Sequence, residues 1–119
     1  MLSAVILTKN EERKIQGLIK SLSFASEIIV VDDYSLDKTV PLAKKFGARV
    51  YTRHLNEDFA AQRNFALKQA TCDWVLFVDS DESVPPALAK QILKAIKSTN
   101  INGYYLKRQD VFLNKNLRH

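Results

Sequence analysis

The sequence predicts an α/β fold, a mostly parallel sheet with helices on both faces. Three observations predict it. Short apolar runs alternate with amphipathic segments along the chain. The run Glu27–Asp32 is apolar on both sides of its alternation, as a strand covered by helices above and below must be. The connections are short, with no internal repeat, low-complexity tract or Pro/Gly-rich linker. At 119 residues the chain has the length of one domain, so 1–119 is read as a single unit.

The elements follow in order. Leu2–Thr8 is an apolar, buried-type strand. A helix over 11–22 places Ile15, Leu18, Ile19 and Leu22 at i, i+3, i+4 and i+7. After the strand Glu27–Asp32, a helix over 37–46 is stopped by Gly47. A third strand covers 48–52 and a helix covers 59–70. A fourth strand, 74–78, runs into Asp79. Pro85 and Pro86 open a helix that buries Leu88, Ile92, Ala95 and Ile96. A fifth strand starts at 103–107. Successive βαβ units predict right-handed crossovers, and an apolar edge at the fifth strand is a place for copies to pair, so a homo-oligomer is expected.

Composition narrows the function. Hydrophobic residues make up 46% and charged residues 26%, which is ordinary for a globular protein. No apolar run reaches the roughly 18–20 residues that cross a bilayer. The apolar start has no basic region before it and no small-residue cleavage site after it, so no signal peptide is expected and the cytoplasm is the expected compartment. The lone Cys72 can form neither an internal disulfide nor a zinc site and reads as a buried structural residue. The charge is lopsided: residues 1–89 sum to −1 and 90–119 to +6. That basic end is either a solvated surface or a contact for an anionic membrane, with the inner face of the membrane the expected place, or for a phosphorylated acceptor. No nucleic-acid-binding module is visible, and no nucleic-acid partner is expected.

In parallel sheets ligands sit at the carboxyl ends of strands. Three of the four segments that follow the first four strands are rich in carboxylates. Asp79-Ser80-Asp81, with Glu82 beside it, follows a strand of large apolar residues. Two acids one residue apart repel unless a divalent cation sits among them, and Mg²⁺ or Mn²⁺ typically takes one or two carboxylates plus substrate phosphates. The competing reading is acids preceding a helix N-terminus. Asp32-Asp33 ends another apolar strand and can accept from a base N–H or a ribose hydroxyl; the same pair also suits the turn ahead of a helix capped by Ser35 or Asp37. Thr8-Lys9-Asn10-Glu11 joins the first strand to the first helix, whose backbone N–H groups can hold an anion or a base edge, unless Asn10 is simply its N-cap. Arg63 near the start of the third helix suits bidentate phosphate pairing or a solvated face. There is no Gly-X-Gly-X-X-Gly and no Walker sequence, so neither a dinucleotide cofactor nor an ATP cradle of the usual kinds is expected.

Together the segments 3–12, 29–39, 43–48, 62–67 and 73–82 resemble, in order and spacing, family 2 glycosyltransferases of the Rossmann-like GT-A fold. The likeness is strongest to enzymes that extend lipopolysaccharide cores, and 103–108 and 112–119 look like that branch too. The resemblance implies inverting transfer of a sugar from a nucleotide-diphosphate donor, a UDP-sugar, to a saccharide or lipid-linked acceptor in cell-envelope polysaccharide synthesis. It implies that Thr8, Asn10 and Glu11 line the nucleotide pocket, that Asp32 with Asp33 binds the base, and that Arg63 contacts the diphosphate. It also implies that Asp79 and Ser80 meet the ribose and donor sugar, and that Asp81 with Asp79 ligates the metal. Two departures stand out. Tyr34 occupies a position where the family usually has glycine. Such enzymes also run well past 200 residues, which implies a truncated donor-binding part whose acceptor half and catalytic base lie elsewhere; Asp110 reads as a surface acid. A non-catalytic nucleotide-binding or interaction module is the alternative. A nucleotidyltransferase is disfavoured because no glycine-rich loop follows the first strand.

Overall fold

The computed structural model describes residues 1–80, 83–98, 103–106 and 111–115. Ten elements follow one another: β1 (Leu2–Thr8), α1 (Ile15–Ser21), β2 (Glu27–Asp32), α2 (Thr39–Lys45), β3 (Arg49–Thr52), α3 (Phe59–Gln69), β4 (Trp74–Asp79), α4 (Pro86–Ser98), β5 (Gly103–Leu106) and β6 (Val111–Lys115). They build one six-stranded sheet in the order β3-β2-β1-β4-β6-β5. The first four strands in that order are parallel, and β6 runs antiparallel to both β4 and β5.

Strand alternation sorts the core into two layers. Ala4, Ile6, Val30, Leu76 and Val78 face one side, where Ile15 and Leu18 of α1, Ala43 of α2, and Leu88 and Ile92 of α4 pack on them. Val5, Ile29, Val31 and Val75 face the other side and meet Ala66 of α3 and Ala70 just beyond it. Helices therefore cover both faces, as expected, with three on one face and α3 on the other.

The differences from expectation lie at element ends and in one added strand. The first helix begins at Ile15, not at 11: residues 12–14 form a turn, and the N–H groups of Glu11 and Glu12, which a helix start would leave without an intrahelical partner in any case, bond to the loop after β2. The second begins at Thr39, because Asp37 turns its carboxylate onto the Thr39 N–H and hydroxyl and holds a local turn ahead of the helix. Pro86 stands at the first position of α4, as expected. Strand β6 is an addition to the expected set. It inserts between β4 and β5, so the fifth strand takes the outer edge of the sheet without touching β4. Among the described residues no helix is long and apolar enough to cross a membrane.

The amino-terminal edge of the sheet is tied by one carboxylate. Glu27 accepts from the Ser3 hydroxyl at 2.5 Å, from the Thr71 N–H at 2.7 Å and from the Thr71 hydroxyl at 2.9 Å. It also pairs with Arg49 at 2.5 Å. Arg49 in turn donates to the carbonyl of Gln69. Burial works to raise the Glu27 pKa, but the bonds from Ser3 and Thr71 and the Arg49 charge outweigh it and hold the carboxyl below its usual value.

Candidate functional site

The parallel register sets Thr8 beside Asp32 and Leu7 beside Asp79. The carboxyl ends of β1, β2 and β4 thus share one rim. A cavity of about 250 Å³ opens there, lined by Leu7, Thr8, Lys9, Val31, Asp33, Leu55, Phe59, Gln62 and Ser80. Binding pockets for whole drug-sized ligands run to about 300–1,000 Å³. This one has room for an end of such a ligand, with apolar walls and a few polar groups.

Thr8 differs from the others in this lining. It is only 6% exposed, and its hydroxyl has no hydrogen-bond partner among the described residues. Buried polar atoms are nearly always paired, and an unpaired one costs about 1–3 kcal/mol. Strand alternation puts its side chain on the side of Ala4 and Ile6, whereas Leu7 and Val31 of the cavity wall face the other side, so the hydroxyl stays enclosed away from the cavity.

The two neighbouring aspartates part company. Asp32 is wholly buried, and its carboxylate accepts from the Ser35 N–H at 2.8 Å and the Ser35 hydroxyl at 2.5 Å. Asp33 lines the cavity. Its Oδ1 accepts from the Leu55 N–H at 3.2 Å and lies 3.6 Å from His54 Nδ1, while Oδ2 lies 3.8 Å from Lys9 Nζ. Adjacent strand residues point to opposite faces, so one carboxylate builds the loop and the other meets the cavity.

Asn10 and Glu11 stand behind the cavity, not on its wall. The Asn10 N–H donates to the Ser35 hydroxyl at 2.8 Å, and the Asn10 side-chain oxygen accepts from the Leu36 N–H at 2.8 Å. The N–H groups of Glu11 and Glu12 donate to Thr39 Oγ1 and Asp37 Oδ2. The expectation that these N–H groups hold an anion or a base edge is therefore corrected: all three are spent on the loop after β2. Asn10 adopts φ 54° to reach across, and Tyr34 adopts φ 50° in the facing loop. The left-handed region suits glycine or asparagine, which accounts for glycine being usual at the position of Tyr34. Tyr34 is half exposed and stacks on His54, with ring centroids 3.9 Å apart. Asp37 is held below its usual pKa: burial raises it, but bonds from the Thr39 hydroxyl and N–H and from the Glu12 N–H outweigh that.

On α3, Asp58 caps the helix by accepting from the Ala61 N–H, and Gln62 turns inward. Gln62 is 1% exposed and is locked to Arg53, accepting from its guanidinium at 2.6 Å and donating to its carbonyl at 2.7 Å. The Arg53 guanidinium lies over the Phe65 ring. Arg63, one residue on, is exposed and is not among the residues lining the cavity. Phe59, Gln62 and Leu55 escaped the sequence reading. The spacing of Phe59, Gln62 and Ala66 along one helical stripe is the signal that finds the first two. Asp79 is exposed at the rim, Ser80 lines the cavity, and Asp81, Glu82, Asp110 and His119 lie outside the described residues. Among the described residues no group of three or more His, Cys, Asp or Glu is arranged to hold a metal ion.

Known proteins share this arrangement. The chain is 38% identical over 104 residues to an uncharacterized glycosyltransferase of Rickettsia bellii, covering 87% of this chain and 35% of the relative. It is 32% identical over 113 residues to the lipopolysaccharide core biosynthesis glycosyltransferase LpsC of Rhizobium meliloti, covering 91% of this chain and 42% of the relative. The chain thus spans well under half the length of these curated relatives. Among solved structures, S. aureus TarS 1-349 superimposes with a TM-score of 0.73 at 30% identity, over 86% of this chain and 34% of TarS. Glucosyl-3-phosphoglycerate synthase of Mycobacterium tuberculosis, in complex with Mn²⁺, UDP and glucosyl-3-phosphoglycerate, does so with a TM-score of 0.74 at 21% identity, over 98% of this chain and 57% of the synthase. The parallel strands and their covering helices are those of the GT-A fold. Residues 3–119 match glycosyl transferase family 2, and the chain belongs to that family.

Proposed function

We propose that this chain holds the nucleotide end of a nucleotide-diphosphate sugar, a UDP-sugar by preference. The whole protein then transfers the sugar, with inversion, to a saccharide or lipid-linked acceptor in cell-envelope polysaccharide synthesis. The observation that carries the reading is the Asp33 carboxylate on the wall of a cavity that Ser80 also lines, at the strand ends where Asp79 stands. In this reading Asp33 accepts from a base N–H, with Asp32 fixing the loop behind it, and Thr8 contributes to the wall of the pocket. Asn10 and Glu11 support the same loop. Ser80 and Asp79 meet the ribose and sugar. Arg63 joins only if the diphosphate runs out of the cavity over the exposed side of α3.

The donor set suits a divalent metal. Asp79 offers hard carboxylate oxygens, and Asp81 is proposed as its companion. Mg²⁺ or Mn²⁺ needs no all-protein cage when diphosphate oxygens complete its shell. Such an ion, when bound, offsets the charge on the leaving nucleoside diphosphate. The reading places the work in the cytoplasm, at the inner face of the membrane.

Titrating UDP into the chain with and without Mn²⁺ tests this. Binding is expected, stronger with Mn²⁺, and Asp81→Ala is expected to erase the metal dependence. Absence of UDP binding overturns the nucleotide role. Equal metal dependence in the wild type and Asp81→Ala overturns the metal role.

A further inference from the structure

The three helices that cover one face of the sheet carry six lysines and no acid. These are Lys20 on α1, Lys44 and Lys45 on α2, and Lys90, Lys94 and Lys97 on α4, and all six are exposed. Among the described residues the acids nearest in sequence are Glu11 and Glu12 ahead of α1, Glu27 after it, Asp37 ahead of α2 and Asp79 ahead of α4; backbone N–H groups of Glu12 and Thr39 occupy Asp37, and Ser3, Arg49 and Thr71 occupy Glu27. Helix α3, on the opposite face, carries only Arg63 and Lys68. Part of this has a local cause. Lys20, Lys44, Lys45 and Lys97 lie in last turns, where cations complement the helix dipole. Lys90 and Lys94 lie in the interior of α4, where that cause does not act. Lys90, Lys94 and Lys97 stand at i, i+4 and i+7, on one stripe, with the exposed Leu93 beside them.

We infer that this helical layer is a docking surface for an anionic lipid bilayer. The charge is spread as lysine point charges across three helices, with no arginine fork among them, which fits a diffuse negative surface better than a single phosphate or a base edge. An exposed leucine amid lysines on an amphipathic helix is the pattern of interfacial contact. The face also leaves the cavity free, because Phe59 and Gln62 of the cavity wall belong to α3 on the other side of the sheet. The inference stands apart from the nucleotide reading.

The test is co-sedimentation of the purified chain with vesicles of phosphatidylglycerol and phosphatidylethanolamine in equal parts, against vesicles of phosphatidylcholine alone. Binding is expected only to the anionic vesicles and is expected to weaken as salt rises. A lysine near such a surface contributes about fivefold, so Lys90→Gln/Lys94→Gln/Lys97→Gln is expected to lose about 100-fold. Lys68→Gln on the opposite face is expected to change little. Melting curves of each variant confirm that the fold is kept, and UDP titration of the triple variant reports the cavity separately. Equal binding to both vesicle types, equal loss in Lys68→Gln and the triple variant, or preference for duplex DNA over the anionic vesicles overturns the inference.

Discussion

At the scale of single residues, Thr8 and Glu27 make opposed predictions. Thr8 carries a buried hydroxyl with no partner among the described residues. Thr8→Val keeps the shape and removes the unpaired group, so the protein is expected to gain about 1 kcal/mol of stability in a urea titration. The same change is expected to leave UDP binding nearly unaltered, because the hydroxyl is enclosed on the side away from the cavity. Glu27 is the reverse case. Its carboxyl pKa is lowered by folding from the ordinary 4.5, so its contribution to stability is present above that value. The contribution is lost as pH falls through the depressed folded-state pKa. Glu27→Gln is expected to cost about 1–2 kcal/mol at neutral pH, allowing for its partial exposure, and much less once the pH has fallen through the lowered folded-state pKa. Thermal melts across that range check it. The sequence shows why Asp33 rather than Asp32 meets the cavity: adjacent residues on a strand cannot share a face, and Asp32 continues the side of Ile28 and Val30. The unpaired state of Thr8 is invisible in sequence, because it depends on what packs around it from distant parts of the chain.

At the scale of elements, the two loops at the rim hold each other through four cross-bonds, and Asn10 carries two of them. Asn10→Gly keeps the left-handed backbone but loses the bond from Leu36, whereas Asn10→Ala loses both. The alanine variant is expected to be less stable than the glycine variant by about 1 kcal/mol, read from denaturant midpoints. This brace also explains which parts of the secondary structure were legible. The apolar runs of β1, β2 and β4 announce themselves, and so does the period of α4 with its two prolines. The start of α1 does not, because the turn over 12–14 that precedes it is anchored to Thr39 and Asp37, more than twenty residues on. Strand β6 was equally hidden. Three apolar residues followed by Asn114 and Lys115 are too few to announce a strand, and it exists by pairing with β4 and β5. Gln62 reads as a polar helix residue until Arg53 is seen to occupy both ends of its amide.

At the scale of the whole molecule, the sheet ends in β3 on one side and β5 on the other. Outer strands offer unpaired backbone groups to a second copy. A concentration-dependent rise in mass by light scattering is expected, and Leu106→Pro, which removes a backbone donor near the end of β5, is expected to diminish it. A constant monomeric mass at high concentration refutes the pairing. The overall layering was readable from the alternation of runs, because a strand apolar on both faces leaves no other architecture. The position of the carboxylates at one rim was readable for the same reason. The opposite rim is where Glu27 joins Ser3, Arg49 and Thr71, drawing together three strands and the turn before the fourth. The proposed recognition site and this carboxylate tie therefore lie at opposite poles of the sheet. Mutational drift at the ligand pole can change what is gripped without loosening the knot that keeps the strands aligned, so new specificities are reachable from this scaffold in small, independently tolerable steps.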